Sequence, residues 1–210
     1  MAEKLGTATE ETLKYIADKY GVDTTKDVVD LPIGRFKDIP RLFGELGFKV
    51  GAEVGVFQGD YSKWLLRLIK GLKLYAIDSW VPYRGYKDFQ SNTIVESYEK
   101  AKENTRGYDC ELIKEWSDKA VERFKDGSLD FVFIDGNHQY EWVVQDISLW
   151  SKKVRKGGIV YGHDYDDYTD TKRWNEMSVI PAVDGWVKAH KIKPLFIISK
   201  NKNKCWMYVN

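Results

Sequence analysis

The chain has 210 residues, enough for one α/β domain with a buried core and too few for two full ones. Hydrophobic residues make up 43% and charged residues 31%, which excludes a disordered chain. Lys and Arg (33) nearly cancel Asp and Glu (32), so no bulk charge draws the protein onto nucleic acid or an anionic membrane, and a small or neutral partner is expected.

Met1 to Gly6 lacks the basic-then-apolar run of a secretory leader, and no apolar stretch nears the roughly 18 residues of a bilayer span. Cys110 and Cys205 lie far apart without metal spacing and read as reduced residues of a cytoplasmic protein. Apolar spacing at Leu13, Ile16 and Ala17 predicts an amphipathic helix over Thr9 to Tyr20. A second short helix is expected over Ile39 to Leu46, stopping at Gly47. Residues 1–40 therefore read as a helical extension, a lid or a homo-oligomer contact, ahead of a domain over 41–210.

From Lys49 the pattern alternates. A strand, Lys49 to Val54, passes through a glycine loop into a helix over Tyr61 to Ile69. A strand over Lys73 to Ile77, a Trp- and Tyr-rich loop and a charged helix over Ile94 to Asn104 follow. Next come a strand over Cys110 to Lys114, a helix over Ser117 to Phe124 and the most apolar strand, Leu129 to Ile134. A helix over Tyr140 to Val154, closed by Gly157 and Gly158, precedes a strand over Ile159 to Tyr161. Such alternation predicts a parallel sheet covered on both faces. Pro194 to Ser199 and Cys205 to Val209 are joined only by Lys200 to Lys204, which predicts an antiparallel hairpin. The expected fold is α/β, a Rossmann-like doubly wound sheet of seven strands, mostly parallel, with the last strand reversed.

Glu53-Val54-Gly55-Val56-Phe57-Gln58-Gly59-Asp60 follows the first alternating strand. Gly55 allows a ligand close to the main chain, and Gly59 opens a helix whose N-terminal amides can face an anionic group. Asp78 ends the next strand, 23 residues beyond Gly55, where a carboxylate can accept both hydroxyls of a ribose. These features fit either NAD or S-adenosylmethionine, although Phe57, where a dinucleotide loop would carry its second glycine, leans away from a pyrophosphate.

Two of the three histidines follow neighbouring strands, in Ile134-Asp135-Gly136-Asn137-His138 and Gly162-His163-Asp164-Tyr165. Ligands bind at the carboxyl ends of strands in such sheets, so Asp135, His138, His163 and Asp164 should converge beside the glycine loop. Two carboxylates with imidazoles suit a hard or borderline divalent ion such as magnesium or manganese. Trp80, Tyr83, Tyr86, Phe89 and the loop from Tyr165 to Trp174 offer rings that could wall a substrate.

Over residues 40–210, the segments EVGVFQGDYS, YAIDSW, SLDFVFIDGNHQYEWVVQDI and KGGIVYGHDY resemble the class I S-adenosylmethionine-dependent methyltransferases. More narrowly they are similar to small metal-dependent O-methyltransferases of the macrocin and macrolide-sugar group. That resemblance implies a cofactor site at Glu53, Gly55, Gly59, Asp78 and Ser117, with Ser117 near the adenine. It implies metal ligation by Asp135 and Asp164, with His163 standing where those relatives often carry an acid, and His138 as general base. The implied reaction is methyl transfer from S-adenosyl-L-methionine to a hydroxyl of a sugar or other vicinal diol. Competing expectations are a nicotinamide-dependent oxidoreductase, a non-catalytic S-adenosylmethionine-binding module, and a metal-dependent hydrolase or hydroxylase.

Overall fold

The computed structural model describes residues 6–81, 93–167 and 177–210. The chain runs α1 (Ala8–Tyr20), β1 (Val28–Leu31), α2 (Asp38–Glu45), β2 (Val50–Val54), α3 (Asp60–Leu68), β3 (Lys73–Asp78), α4 (Thr93–Thr105) and β4 (Cys110–Lys114). It continues with α5 (Ser117–Ala120), β5 (Leu129–Ile134), α6 (Tyr140–Trp150), β6 (Val154–Gly162), α7 (Val179–His190), β7 (Leu195–Ile198) and β8 (Cys205–Val209). All strands join one sheet in the order β1-β7-β8-β6-β5-β2-β3-β4. Neighbours run parallel except β8, which is antiparallel to both β6 and β7.

Among the described residues the sheet has eight strands, one more than the seven expected. The additional strand is β1, four residues long with Asp30 inside it, alternately exposed and buried, and paired with β7 at the edge. A run that short and that polar carries no clear strand signal, and it lies in the segment read as helical. Gly157 and Gly158 do not close a helix either. α6 stops at Trp150, a 3-10 turn covers Ser151–Lys153, and both glycines lie within β6. Gly157 has φ 74, and a Cβ there would meet the Ala8 carbonyl at 2.5 Å, so the glycine lets α1 sit directly on the strand. The helix expected over Ser117 to Phe124 is the single turn α5 and a 3-10 turn over Val121–Arg123.

Local chemistry accounts for the better-formed ends. Thr7 and Glu10 form a reciprocal capping box at the start of α1, and Gly21 ends it in the left-handed conformation. β5 is buried along nearly its whole length, as a central parallel strand must be. α1, α2 and α3 cover one face, where Ile16, Leu42, Phe43 and Leu65 pack in one cluster with Phe131, Phe133 and Tyr161. α5, α6 and α7 cover the other, placing Ile147, Trp150 and Val183 with Val132 and Val160. α4 packs against α3.

β2 is the switch point of the winding: β3 and β4 lie to one side, β5 and β6 to the other. Val54 is level with Ile77 and Ile134, and Ile134 with Gly162. Gly55, Asp78, Asp135 and His163 therefore leave the sheet together at its carboxyl edge, where ligands bind in this architecture.

Candidate active site

The carboxyl ends of β2 to β5 open on a cleft of about 390 Å³, lined in part by Gly55, Asp78, Trp116, Ser117, Trp142 and Asp146. Gly55 forms its floor with φ 88, and a Cβ at this position would lie 2.1 Å from the Asp135 carbonyl oxygen. Backbone conformation and space each require glycine here.

Asp78 lines the cleft and also braces the loop. Its Oδ2 accepts the N–H groups of Val56 (3.0 Å) and Phe57 (2.9 Å), and its Oδ1 accepts that of Trp80 (2.9 Å). Burial pushes the Asp78 carboxyl above its ordinary range against these amides. Glu53 sits beneath the loop, 1% exposed, and accepts the Ser62 hydroxyl; burial pushes it up to about 8. Gly59 caps α3 with Ala101 of α4 against it, rather than lining the cleft. Ser117 does line the cleft, and its hydroxyl donates to Asp146 Oδ1 at 2.5 Å.

Asp146 is a cleft residue that sequence reasoning missed. It is 5% exposed, and burial pushes it up to about 7 against the Ser117 hydrogen bond. The signal was present: Val143, Asp146, Ile147 and Trp150 form the buried stripe of α6, and a carboxylate in an apolar stripe calls for an explanation.

Beside the cleft the predicted cluster is assembled. His138 Nε2 lies 3.4 Å from Asp135 Oδ1 and 3.1 Å from Asp164 Oδ2. His163 Nδ1 lies 3.6 Å and 3.2 Å from the same two oxygens. Burial alone would lower both imidazoles, but hydrogen bonds to the two carboxylates outweigh it and push each up to about 9. Burial works in the opposite sense on Asp135, and the imidazoles hold it down at about 2; Asp164 is lowered further by the same partners. Asp164 has φ 55, a left-handed conformation that aspartate tolerates better than most residues. Asn203, in the turn before β8, donates to its Oδ1 at 3.4 Å.

Arg35, between β1 and α2, also reaches the cluster, with Nη1 3.3 Å from Asp135 Oδ2. Nothing in the local sequence marks it; only the sheet brings residue 35 to residue 135. Trp80 does not wall a substrate: it is 1% exposed and its indole N–H donates to the Phe57 carbonyl. Tyr83, Tyr86, Phe89 and the part of the second aromatic loop from Tyr168 to Trp174 lie outside the described residues. Tyr165 is held by Asp184 through a 2.6 Å hydrogen bond.

The donor set fits a divalent ion. Asp135, His138 and Asp164 each offer a ligand atom within 4.8 Å of the others. Two ligands about 2.1 Å from one octahedral ion are about 3 Å apart, close to the carboxylate–imidazole separations here. His163 meets the same carboxylates, so either imidazole can serve as the third ligand.

Residues 52–165 match the family model described as a methyltransferase domain. The uncharacterised protein R132 of Acanthamoeba polyphaga mimivirus is 33% identical over 136 residues, 63% of this chain. The chain spans 56% of that relative's length. Among solved structures, the chain is similar to a Podospora anserina methyltransferase bound to S-adenosylhomocysteine, with TM-score 0.62 and 10% identity over 98% of this chain and 89% of that one. It is also similar to an O-methyltransferase from Bacillus cereus in complex with S-adenosylhomocysteine, with TM-score 0.56 and 17% identity over 100% and 94%. At these identities the structures speak for the fold alone, whereas the family model covers more than half of the chain's 210 residues. The chain belongs to the methyltransferase-domain family.

Proposed function

We propose that this protein is an S-adenosylmethionine-dependent O-methyltransferase acting on a hydroxyl of a small molecule, a sugar or other vicinal diol, with help from magnesium or manganese. One observation carries the reading. The cleft at the switch point and the Asp/His cluster share a wall, because Gly55 lies against the backbone of Asp135. A methyl donor resting on Gly55 is thereby next to a cluster of carboxylates and imidazoles that can meet an acceptor hydroxyl.

In this reading Gly55 admits the donor, Asp78 holds the loop and faces the ribose, and Ser117 with Asp146 meets the adenine. Phe57 and Val56 already give their N–H groups to Asp78, which leaves little main chain for a pyrophosphate and disfavours a dinucleotide. A divalent ion held by Asp135, His163 and Asp164 would supply stabilisation of the acceptor alkoxide. Without an ion the carboxylates hold His138 protonated. With those carboxylates taken up by an ion, His138 would release that proton. The neutral imidazole then accepts the hydroxyl proton at Nε2, an effect of about 10²- to 10⁴-fold for a positioned base. Alignment of acceptor oxygen, methyl carbon and sulfur supplies much of the remainder.

The test replaces His138 by Ala and, separately, Asp135 by Asn, and measures methyl transfer and S-adenosylhomocysteine binding. Turnover is expected to fall at least 100-fold in each, with cofactor affinity within a few-fold of the parent. Retained turnover in both would sink the mechanism. If His138→Ala abolishes ion binding while His163→Ala spares it, the two imidazoles exchange roles.

A further inference from the structure

Arg35 stands ahead of the family-matched segment, yet it is built into the site. Its side chain is 14% exposed, with the guanidinium 4.7 Å from the ring centre of Phe36, 5.1 Å from Tyr61 and 5.6 Å from Phe133. Its backbone is pinned at both polar groups: the N–H donates to Asn201 Oδ1 at 2.8 Å, and the carbonyl accepts the Tyr61 hydroxyl at 3.4 Å. Asn201 and Asn203 lie in the same β7–β8 turn, so one turn touches both Arg35 and Asp164.

Asp135 is thus divided between two partners. Oδ2 faces the guanidinium, and Oδ1 faces the two imidazoles. With neutral imidazoles, as ion binding requires, the two carboxylates carry a charge of −2 and Arg35 reduces it to −1. Glu53 adds no charge near neutrality, since burial keeps it protonated.

We propose that Arg35 is a positioning residue and fixed counter-charge, which turns Asp135 Oδ1 toward the imidazoles and makes the site hold a divalent ion loosely. The inference rests on the metal-assisted reading above. Repulsion between a guanidinium and a divalent ion sharing one carboxylate persists even at an effective dielectric of about 20. In this proposal the repulsion exceeds the single tether that Arg35 provides, the reverse of the usual loss of affinity when a second contact to a ligand is removed. The first 40 residues therefore take part in the chemistry of the site.

The experiment titrates Mn²⁺ into the full chain at constant ionic strength, by calorimetry and by the paramagnetic resonance of free Mn²⁺. Arg35→Gln keeps an N–H for Asp135 and removes the charge; Arg35→Lys keeps the charge. Arg35→Gln is expected to bind Mn²⁺ at least about tenfold more tightly than the parent, and Arg35→Lys within about threefold of it. Should Arg35→Gln fail to fold, Arg35→Met, which keeps an apolar stem among the rings, carries the same expectation. Equal or weaker binding by the neutral variant overturns the proposal and leaves the metal reading standing. If neither parent nor variants bind Mn²⁺, both fall together.

Discussion

Asp146 shows how one buried carboxyl ties pH to stability. Its ordinary value is 3.8, and burial raises it to about 7 in the fold. The native state then binds the proton more tightly than the unfolded chain does. Its contribution is complete below about pH 4 and is lost as pH rises toward 7. Asp146→Asn has no proton to lose, so its Tm should overtake the parent's over this interval, the gap widening with pH and levelling above 7. Parallel melting curves from pH 4 to 8 would refute the buried-acid account. The Asp/His cluster was legible in the sequence because its members fall in the short segments just after β5 and β6, and strand ends converge in a doubly wound sheet. Arg35 was not legible, since its partner lies 100 positions away. Asp146 lies inside the helix expected over Tyr140 to Val154, and its burial shows only once the apolar spacing of that helix is followed.

Elements were legible in proportion to their burial. β5 and the β7–β8 hairpin announce themselves through apolar runs and a short polar turn, whereas β1 is four residues at an edge and owes its form to pairing with β7. α2 holds the aromatic side of the core through Phe43, which is fully buried with its ring centre 4.7 Å from Phe131 and 5.2 Å from Tyr161. Phe43→Ala should cost about 3 to 5 kcal/mol in chemical denaturation, with the slope of the transition unchanged. A loss below about 1 kcal/mol would mean that α2 is not seated as described. α1 adds hydrogen bonds to the packing of Ile16: Thr12 donates to the Gly157 carbonyl and Thr9 to that of Asn210, each at 2.8 Å.

Over the whole molecule, β1 pairing with β7 and α1 seated on β6 join the first 40 residues to the sheet that carries the cleft. One cooperative transition is expected, and a ligand for the cleft should shift all of it. S-adenosylhomocysteine at about 100 times its Kd contributes about 2.7 kcal/mol. For a chain of this length that raises Tm by about 5 to 10 °C. An unchanged Tm with S-adenosylhomocysteine, beside a rise with NADH, would return the fold to the oxidoreductase reading. Among the described residues no helix is long and apolar enough to cross a membrane.

The abutment of Gly55 on the Asp135 carbonyl bears on how such a cleft can change over evolutionary time. With no room for even one methyl group, this part of the cleft floor is frozen: no side chain can be introduced there without dismantling the neighbouring loop. Under the proposed methyl-transfer reading, new acceptor preferences would therefore arise from the segments surrounding the opening, while the donor seat is inherited unaltered.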